Sequence, residues 1–214
     1  MILIGMFDSP FVRRVAVSMK LLGIAFEHRN WSVGKDFDQI RKYNPVGRVP
    51  TLVLDDGEAL MESSAILDFL DERAGPERAL MPRSGRERRT ALRLMAMTTG
   101  AAEKGVAQIY EGIFRPTAKR HEPWVERCRA QMHGALHELE RWSAARGPGK
   151  WLVADRMTQA DITLACIWTF LTEAPGLDVA TAPYDSLRSL AARCEALPEF
   201  SSTHVAYFVP KAAG

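Results

Sequence analysis

Asn44-Pro45-Val46-Gly47-Arg48-Val49-Pro50-Thr51-Leu52 is the stretch of sequence on which the fold prediction depends. Pro50 stands where an apolar strand begins, and proline is confined to such positions because it cannot donate to a sheet ladder. X-Pro bonds are trans in about 94% of cases, so a trans edge proline is the simpler interpretation. A cis Val49–Pro50 bond would instead turn the Val49 N–H and C=O toward solvent, where they can pair with an extended peptide ligand.

Strand and helix signals alternate on both sides of this stretch, through residues 1–75. The second helix is expected to end before Asn44-Pro45, because a residue that precedes a proline is disfavoured in the helical region of φ/ψ space. Asp55-Asp56-Gly57 between two short apolar runs indicates a hairpin. Strands are predicted over residues 2–6, 25–31, 51–54 and 59–61, and helices over 10–22, 36–43 and 63–73. The order β-α-β-α-β-β-α predicts a mixed sheet covered by helices.

The rest of the chain is predicted to be all-helical. Residues 76–85 are rich in Pro, Gly and charge, which indicates a linker between a first domain over 1–75 and a second over 86–214. In the first long helix of the second domain, Leu92, Met95, Ala96 and Thr99 recur at helical spacing. The helices are predicted over residues 91–108, 123–145, 158–172 and 184–197.

The composition is that of an ordinary globular protein, with 47% hydrophobic and 25% charged residues in a chain of 214. The net charge of +2 is too small an excess to indicate a nucleic-acid partner. No stretch approaches the roughly 20 apolar residues that span a bilayer, and the N-terminus lacks the basic region of a signal peptide. We therefore expect a cytoplasmic protein with neither a nucleic-acid nor a membrane partner.

Neither disulfides nor a metal site are expected. The three cysteines, Cys128, Cys166 and Cys194, are odd in number and widely spaced, and no CxxC pair exists. His133 and His137 lie four residues apart, as two metal ligands on a helix would. Because the sequence places no third ligand, a solvated helix face is the favoured interpretation of this pair.

Ser9 lies in Asp8-Ser9-Pro10-Phe11, between the first strand and the first helix. Pro10 suits the first helical position, which puts Ser9 at the N-cap. On this segment alone a capping serine, with a contribution of about 1 kcal/mol, is the simpler interpretation. A functional role requires a bound thiol, because a helix N-terminus and a hydroxyl donor both favour a thiolate. Ser9 would then act as a hydrogen-bond donor, since no GxSxG motif of a serine nucleophile surrounds it.

Glu62-Ser63 opens the third helix, immediately after the fourth strand. Ser63 is a suitable N-cap, which is again the structural interpretation. The free N–H groups of a helix start also bind carboxylates, and Glu62 beside them could bind an ammonium group. An acid next to an anion-binding helix start is the pair that the α-amino-acid end of a ligand requires.

These features, in this order, resemble the cytosolic glutathione transferase superfamily. The motifs SPFxRRV, NPxGRVPTL and ESSAILDFLDE match its thioredoxin-like half across residues 1–75. The second half is similar in length and in Met157-Thr158-Gln159-Ala160-Asp161-Ile162, a capping box with a hydrophobic staple. The resemblance implies an α/β plus all-α fold, in which a thioredoxin-like βαβαββα domain precedes an all-helical domain.

The resemblance also implies a glutathione site. Ser9 corresponds to the thiol-activating residue, and the backbone of Val49, with Pro50 in cis, corresponds to the group that pairs with the cysteinyl part. The γ-glutamyl end would be held by Glu62 and Ser63. The remaining contacts are expected from Lys35 or Arg48, for the glycine carboxylate, and from Phe11, at the pocket mouth.

The second substrate is expected to be a small apolar electrophile. Of six residues that could line its pocket, Tyr110, Phe114 and Phe208 are chosen as a group; the others are Ile113, Trp168 and Tyr207. Tau- and omega-class proteins share the residue-before-Pro-Phe arrangement, and the omega class has cysteine where this chain has Ser9. The serine favours conjugation or peroxide reduction over thiol transfer.

The implied activity is glutathione transfer, with glutathione as co-substrate, by a cytoplasmic homodimer that serves detoxification. A glutathione-binding carrier or stress protein with little catalysis is the first alternative. The second is a scaffold that has lost the ligand, and the presence of Ser9, Glu62 and Ser63 together counts against it.

Overall fold

The computed structural model describes residues 1–207. A first part carries four strands and three helices, and a helical part follows. Residues 75–84, between the two parts, contain neither a strand nor a helix. The elements of the first part are β1 (Ile2–Ile4), α1 (Pro10–Leu21), β2 (Glu27–Arg29), α2 (Phe37–Arg41), β3 (Thr51–Val53), β4 (Ala59–Met61) and α3 (Ser63–Ala74). Those of the second are α4 (Gly85–Phe114), a 3-10 turn (Thr117–Lys119), α5 (Glu122–Arg146), α6 (Gln159–Glu173), α7 (Asp185–Glu195) and α8 (Pro198–Ser201).

The four strands form one mixed sheet in the order β2-β1-β3-β4. β1 and β2 are parallel, whereas β3 is antiparallel to both of its neighbours. Ile4 lies opposite Thr51, and Thr51 lies opposite Met61. The last residue of β1, the first of β3 and the last of β4 therefore form one row across the sheet, and this row positions the candidate site. The predicted βαβαββα order and the helical second half are confirmed.

Helix α1 is buried on almost every side. The predicted apolar face, with Val12 and Val15, is fully buried, and so are Arg13, Arg14 and Ser18 on the other faces. The cause is tertiary, because α1 packs against β1 and α3 within the first part and against α6 and α8 of the helical part. This shared helix joins the two parts into one hydrophobic core.

Helix α4 is longer than predicted and buries a different stripe. It begins at Gly85 rather than 91 and continues past 108 to Phe114. Leu92 and Ala96, which the helical spacing had grouped with Met95, are exposed, Leu92 by 47%. Helix α4 packs against both α5 and α6. The residues buried by this packing recur at i, i+3 and i+4, in a stripe that begins at Ala91, one residue before the predicted one. That stripe consists of Ala91, Leu94, Met95, Thr98, Ala101 and Ala102.

The predicted capping box at the start of α6 is present. Thr158 is the N-cap, and the Asp161 carboxylate accepts hydrogen bonds from the Thr158 backbone N–H and hydroxyl, both at 2.8 Å. The three cysteines are free and buried. Among residues 1–207, no helix has both the length and the apolar character needed to cross a membrane.

Candidate active site

The three segments singled out by sequence meet at one end of the sheet. Ser9 follows β1, Val49 and Pro50 precede β3, and Glu62 follows β4. Because Ile4, Thr51 and Met61 lie in one row, these three connections leave the sheet at the same end. The site is thus a product of sheet topology, which brings together residues that are more than 50 positions apart in sequence.

Ser9 is the N-cap of α1, with Pro10 at the first helical position, as predicted. Its Oγ accepts the Val12 N–H at 3.5 Å, at the long limit for a hydrogen bond. The hydroxyl proton of Ser9 is not used by this contact, since the oxygen is the acceptor. A half-buried hydroxyl at a helix N-terminus can therefore donate to an anion placed beside it.

The Val49–Pro50 peptide bond is cis, as the ligand-binding interpretation predicted. Within residues 1–207, neither the N–H nor the C=O of Val49 takes part in a hydrogen bond. Gly5 makes room for this segment, because a Cβ on Gly5 would come within 2.5 Å of Val12 and 2.8 Å of Val49. Gly5 also has a φ of 131°, which L side chains rarely adopt. A free extended backbone therefore lies beside the start of α1.

Glu62 and Ser63 begin α3, but the predicted cap is displaced by one residue. Glu62, rather than Ser63, is the N-cap, and its carboxylate accepts the Ser64 N–H at 3.0 Å. Ser63 is the first helical residue. Its side chain is fully buried and does not cap the helix, because Arg14 donates to its Oγ at 2.7 Å. Glu62 has a φ of 72°, an uncommon conformation for a residue other than glycine. Such strained residues cluster at ligand sites.

The Glu62 carboxylate is kept ionised by its surroundings. Partial burial alone would raise its pKa, but the Ser64 N–H and the positive charge of Arg14 outweigh burial and lower the pKa. The Ser63 hydroxyl donates to the same carboxylate at 3.2 Å. A fixed negative charge at this position is suited to binding an ammonium group.

The two candidates for a glycine carboxylate are both exposed. Lys35 lies in the turn before α2, and Arg48 directly precedes Val49. The Arg48 carbonyl accepts a hydrogen bond from the Asn44 side chain at 2.9 Å. The Arg48 guanidinium itself makes no ion pair among the described residues. Phe11 is half-buried against the main core, at the start of α1.

Tyr110 and Phe114 lie at the C-terminal end of α4, with their rings edge to face and centroids 5.0 Å apart. They are 43% and 62% exposed, an unusual amount for large apolar side chains in a helix. Burial raises the Tyr110 pKa, with opposing smaller effects from the charges of Arg48 and Asp8. Arg48 and Asp8 both belong to loops of the first part, so charges of that part act on the end of α4. Phe208 lies outside the described residues.

Two residues near the candidate site were not among those chosen from sequence: Tyr207 was one of the six pocket candidates, and Arg14 was assigned no role. Tyr207 lines a narrow cavity with Asp8, Pro10 and Phe170, and burial, followed by Tyr110 and Asp8, raises its pKa to about 12. Arg14 lies beneath Glu62 and Ser63 and contacts Ser63 directly. The two adjacent arginines of the SPFxRRV motif were a signal in the sequence, because one of two neighbouring charged residues in an amphipathic helix tends to face the protein. The helical periodicity alone did not indicate which residues would contact them.

The other residues set aside by the sequence argument lie in different surroundings. His133 is hydrogen-bonded on both ring nitrogens, to the Tyr184 hydroxyl and to Asp178, each at 2.7 Å. It is therefore a link between α5 and the segment before α7, whereas His137 is exposed. In residues 1–207, no group of three His, Cys, Asp or Glu side chains is arranged to hold a metal ion. Trp168 is core, packed against Tyr184.

The fold and the arrangement at the sheet end define a thioredoxin-like protein with a helical second half. The family "Glutathione S-transferase, N-terminal domain" matches residues 3–78, and "Glutathione S-transferase, C-terminal domain" matches residues 103–198. The chain therefore belongs to the glutathione S-transferase family, whose co-substrate is glutathione.

Solved structures of this family match nearly the whole chain. A glutathione S-transferase from Methylobacterium radiotolerans, in complex with glutathione sulfonate, has a TM-score of 0.89 and 28% identity, over 100% of this chain and 98% of that one. A second, from Methylobacillus flagellatus with glutathione bound, has a TM-score of 0.86 and 26% identity, over 94% and 98% of the two chains.

Relatives with curated names are more diverse. The "Uncharacterized GST-like protein YibF" of Escherichia coli K12 is 29% identical over 79% of this chain and 81% of its own length. A maleylacetoacetate isomerase of Dictyostelium discoideum is 26% identical over 87% of this chain and 85% of its own. The family is therefore established, whereas the names of its members include both transferases and isomerases.

Proposed function

We propose that this protein is a glutathione transferase that activates the glutathione thiol at Ser9 for attack on a small apolar electrophile. The observation that carries the proposal is the meeting of Ser9, the unbonded Val49 backbone and the Glu62–Ser63 helix start at one end of the sheet. The relatives crystallised with glutathione or glutathione sulfonate support the identity of the ligand.

In the proposed complex, each of the three residues of glutathione binds to a different part of the site. Glu62 takes the ammonium and the start of α3 takes the carboxylate of the γ-glutamyl residue, while the Val49 backbone pairs with the cysteinyl residue. This arrangement leaves the sulfur near the start of α1. Lys35 or Arg48 takes the glycine carboxylate, and Phe11 lies at the pocket mouth. Residues 1–75 are proposed as the glutathione-binding domain, 76–85 as the linker and 86–214 as the helical domain.

Thiolate formation is the chemical task of Ser9. A free thiol has a pKa of about 8.5, so only a few per cent is ionised at pH 7. Lowering that pKa by about 2 units requires about 2.7 kcal/mol of selective stabilisation. A charge-assisted hydrogen bond contributes about 1.5–3 kcal/mol, and the helix N-terminus adds to it. The thiol proton leaves to solvent, and the thiolate then attacks the electrophilic carbon. With an aryl halide the C–S bond replaces the C–halogen bond and halide leaves; with an activated double bond the π electrons move to the adjoining carbon, which takes a proton from solvent.

The electrophile is proposed to bind between Ser9 and the exposed end of α4. Tyr110 and Phe114 present aromatic surface there, and Tyr207 adds a third ring from the C-terminal segment. Phe208 remains a proposed member of this group. A cytoplasmic location and a detoxification role are proposed with this activity; the three reduced cysteines agree with a reducing compartment.

The test combines binding and turnover. Calorimetry with glutathione should give saturable binding, and S-methylglutathione, which has no ionisable thiol, should bind as well. Turnover should follow with 1-chloro-2,4-dinitrobenzene. Because some relatives are named maleylacetoacetate isomerase, maleylacetoacetate is the second compound to assay. Binding without turnover of either compound would favour the carrier alternative, and absence of glutathione binding would overturn the proposal.

A further inference from the structure

Two adjacent arginines of α1 are both buried, but only Arg13 forms a direct ion pair within residues 1–207. Arg13 forms a two-pronged ion pair with Glu195, at 2.6 and 2.8 Å, and its pKa is raised because this hydrogen bond outweighs burial. Arg14 is completely buried, and no carboxylate of residues 1–207 lies within ion-pair distance of it. Burial lowers the Arg14 pKa to about 10. The charge of Glu62 opposes this effect, but Glu62 reaches Arg14 only through the Ser63 hydroxyl, so Arg14 is a buried cation without a direct ion pair.

The partners of Arg14 are hydroxyl groups at the start of α3 and on α6. Its Nη2 donates to the Ser63 Oγ at 2.7 Å and to the Ser64 Oγ at 2.9 Å. Its Nη1 donates to the Thr163 Oγ1 at 3.3 Å. The Nε–H has no partner in the described part of the chain. These contacts hold the guanidinium directly beneath the first turn of α3.

The same turn has unused donors on its outer side. The backbone N–H groups of Ser63 and Ala65 make no hydrogen bond within residues 1–207, whereas the Ser64 N–H is occupied by Glu62. An anion at this helix start would meet the free N–H groups of Ser63 and Ala65, with the Arg14 charge behind them. The Ser63 hydroxyl accepts from Arg14 and donates to Glu62 at 3.2 Å, so these three residues form a chain of hydrogen bonds that polarise one another.

We propose that Arg14 is a positioning residue that gives the start of α3 its selectivity for the α-carboxylate of the γ-glutamyl residue. This inference rests on the proposed glutathione site. Arg14 acts through Ser63: it holds the hydroxyl and supplies the counter-charge, without touching the ligand. A buried cation is costly unless it is paired. Glu62 reaches Arg14 only through Ser63, and when Glu62 binds the ligand ammonium, the ligand carboxylate supplies a second negative charge for Arg14. Thr163 extends the support to α6, so the helical part contributes to the geometry of the glutathione site.

The test compares two peptides that differ only at this carboxylate. Glutathione is one, and 4-aminobutyryl-cysteinylglycine, which keeps the ammonium group and lacks the α-carboxylate, is the other. The wild type should bind glutathione at least about tenfold more tightly, a difference of about 1.4 kcal/mol. Arg14→Gln should bring this ratio of dissociation constants close to one, mainly by weakening glutathione. Arg14→Lys, which keeps the charge, should restore part of the ratio.

Arg13→Gln is the matched control, since Arg13 is a buried arginine one position away whose hydrogen bonds, in residues 1–207, go to Glu195 and to the Phe200 carbonyl and not to α3. It should lower thermal stability and leave the ratio unchanged. Equal weakening of both peptides by Arg14→Gln would show a merely structural role and overturn the inference. If Arg14→Gln does not fold, the test uses Thr163→Val, which removes one of the hydrogen-bond acceptors that hold Arg14. A reduced ratio of the two dissociation constants then supports the inference, and an unchanged ratio overturns it. A wild type that binds neither peptide refutes the proposed function itself.

Discussion

Ser9 illustrates how one side chain can serve both structure and chemistry. At 3.5 Å, its contact with the Val12 N–H is a weak cap, so little stability depends on it. Pro10 already fixes the first helical residue, and its missing N–H leaves one less donor to satisfy. The hydroxyl is therefore available to a ligand at small structural cost.

Ser9→Ala should raise the pKa of the bound glutathione thiol toward its free value. The reason is that the variant loses the donor to the thiolate and keeps the helix N-terminus. At fixed pH below the pKa, a raised pKa means less thiolate, so turnover near neutral pH should fall about tenfold for each pKa unit, equivalent to about 1.4 kcal/mol. Part of the loss should return as the pH is increased. Ultraviolet titration of thiolate absorbance with glutathione bound gives the two pKa values.

Ser84→Ala is the control for this change, since Ser84 is also a helix N-cap, at α4, and makes no side-chain capping bond. It should leave the thiol pKa as in the wild type. Glutathione affinity should change little in Ser9→Ala, because Glu62, Ser63 and Val49 are proposed to hold the peptide. Equal thiol pKa values in wild type and Ser9→Ala would mean that Ser9 is only a cap.

At the scale of single elements, helix starts carry much of the organisation of this protein. Those of α1 and α3 face the candidate site, whereas the start of α6 is buried against the first part. Gln159, the first residue of α6, donates to the Ser18 hydroxyl of α1 at 3.1 Å. Asp161 adds a hydrogen bond from the Leu152 N–H, at 2.8 Å, to the two from Thr158. One carboxylate thus fixes both the helix start and the preceding loop.

Asp161→Asn should destabilise the protein by about 2–3 kcal/mol, because a fully buried acceptor of three hydrogen bonds is replaced by a group with one oxygen. Urea unfolding followed by circular dichroism measures the loss. Asp155→Asn, in the same loop, is the control, since its side chain is 91% exposed and its contact with Lys150 is long, at 4.0 Å. The two variants should therefore differ clearly in the urea concentration at the midpoint of unfolding. Similar midpoints would contradict the importance proposed for this cap.

At the scale of the whole molecule, the exposed apolar side chains suggest how two copies associate. Phe37 and Val46 lie on the first part, with Val46 64% exposed, and Leu92 lies on α4. We propose that the first part of one copy packs against α4 of a second copy in a two-fold symmetric dimer. A two-fold dimer is the commonest oligomer and requires complementary patches on the two parts of one chain.

Sedimentation should therefore give a species of about 48 kDa, twice the chain mass of 23.9 kDa. Leu92→Glu should shift it toward the monomer, because a charge would be buried at the contact. Val205→Glu is the control, since Val205 is an exposed apolar residue of the C-terminal segment. A single species with the mass of one chain at micromolar concentration would refute the dimer.

The sequence by itself determined the order of the elements and the location of the three segments proposed for the site. Helix caps, prolines and the hairpin are local signals, because each depends on the backbone of a few neighbouring residues. For that reason Ser9-Pro10, Val49-Pro50 and Glu62-Ser63 could be located, and the capping box at Thr158 and Asp161 was correct.

Only the tertiary structure decided which faces are buried and which polar groups meet. The buried stripe of α4 is set by two neighbouring helices, so the spacing that began at Leu92 was wrong. In the sequence, Arg14 resembles any arginine of a helix; it loses its contact with water only when α3 and α6 pack around it. A long-range contact has no local signature, since it depends on where the rest of the chain has gone. The charge behind the candidate glutathione site is therefore a property of the fold and not of the motif.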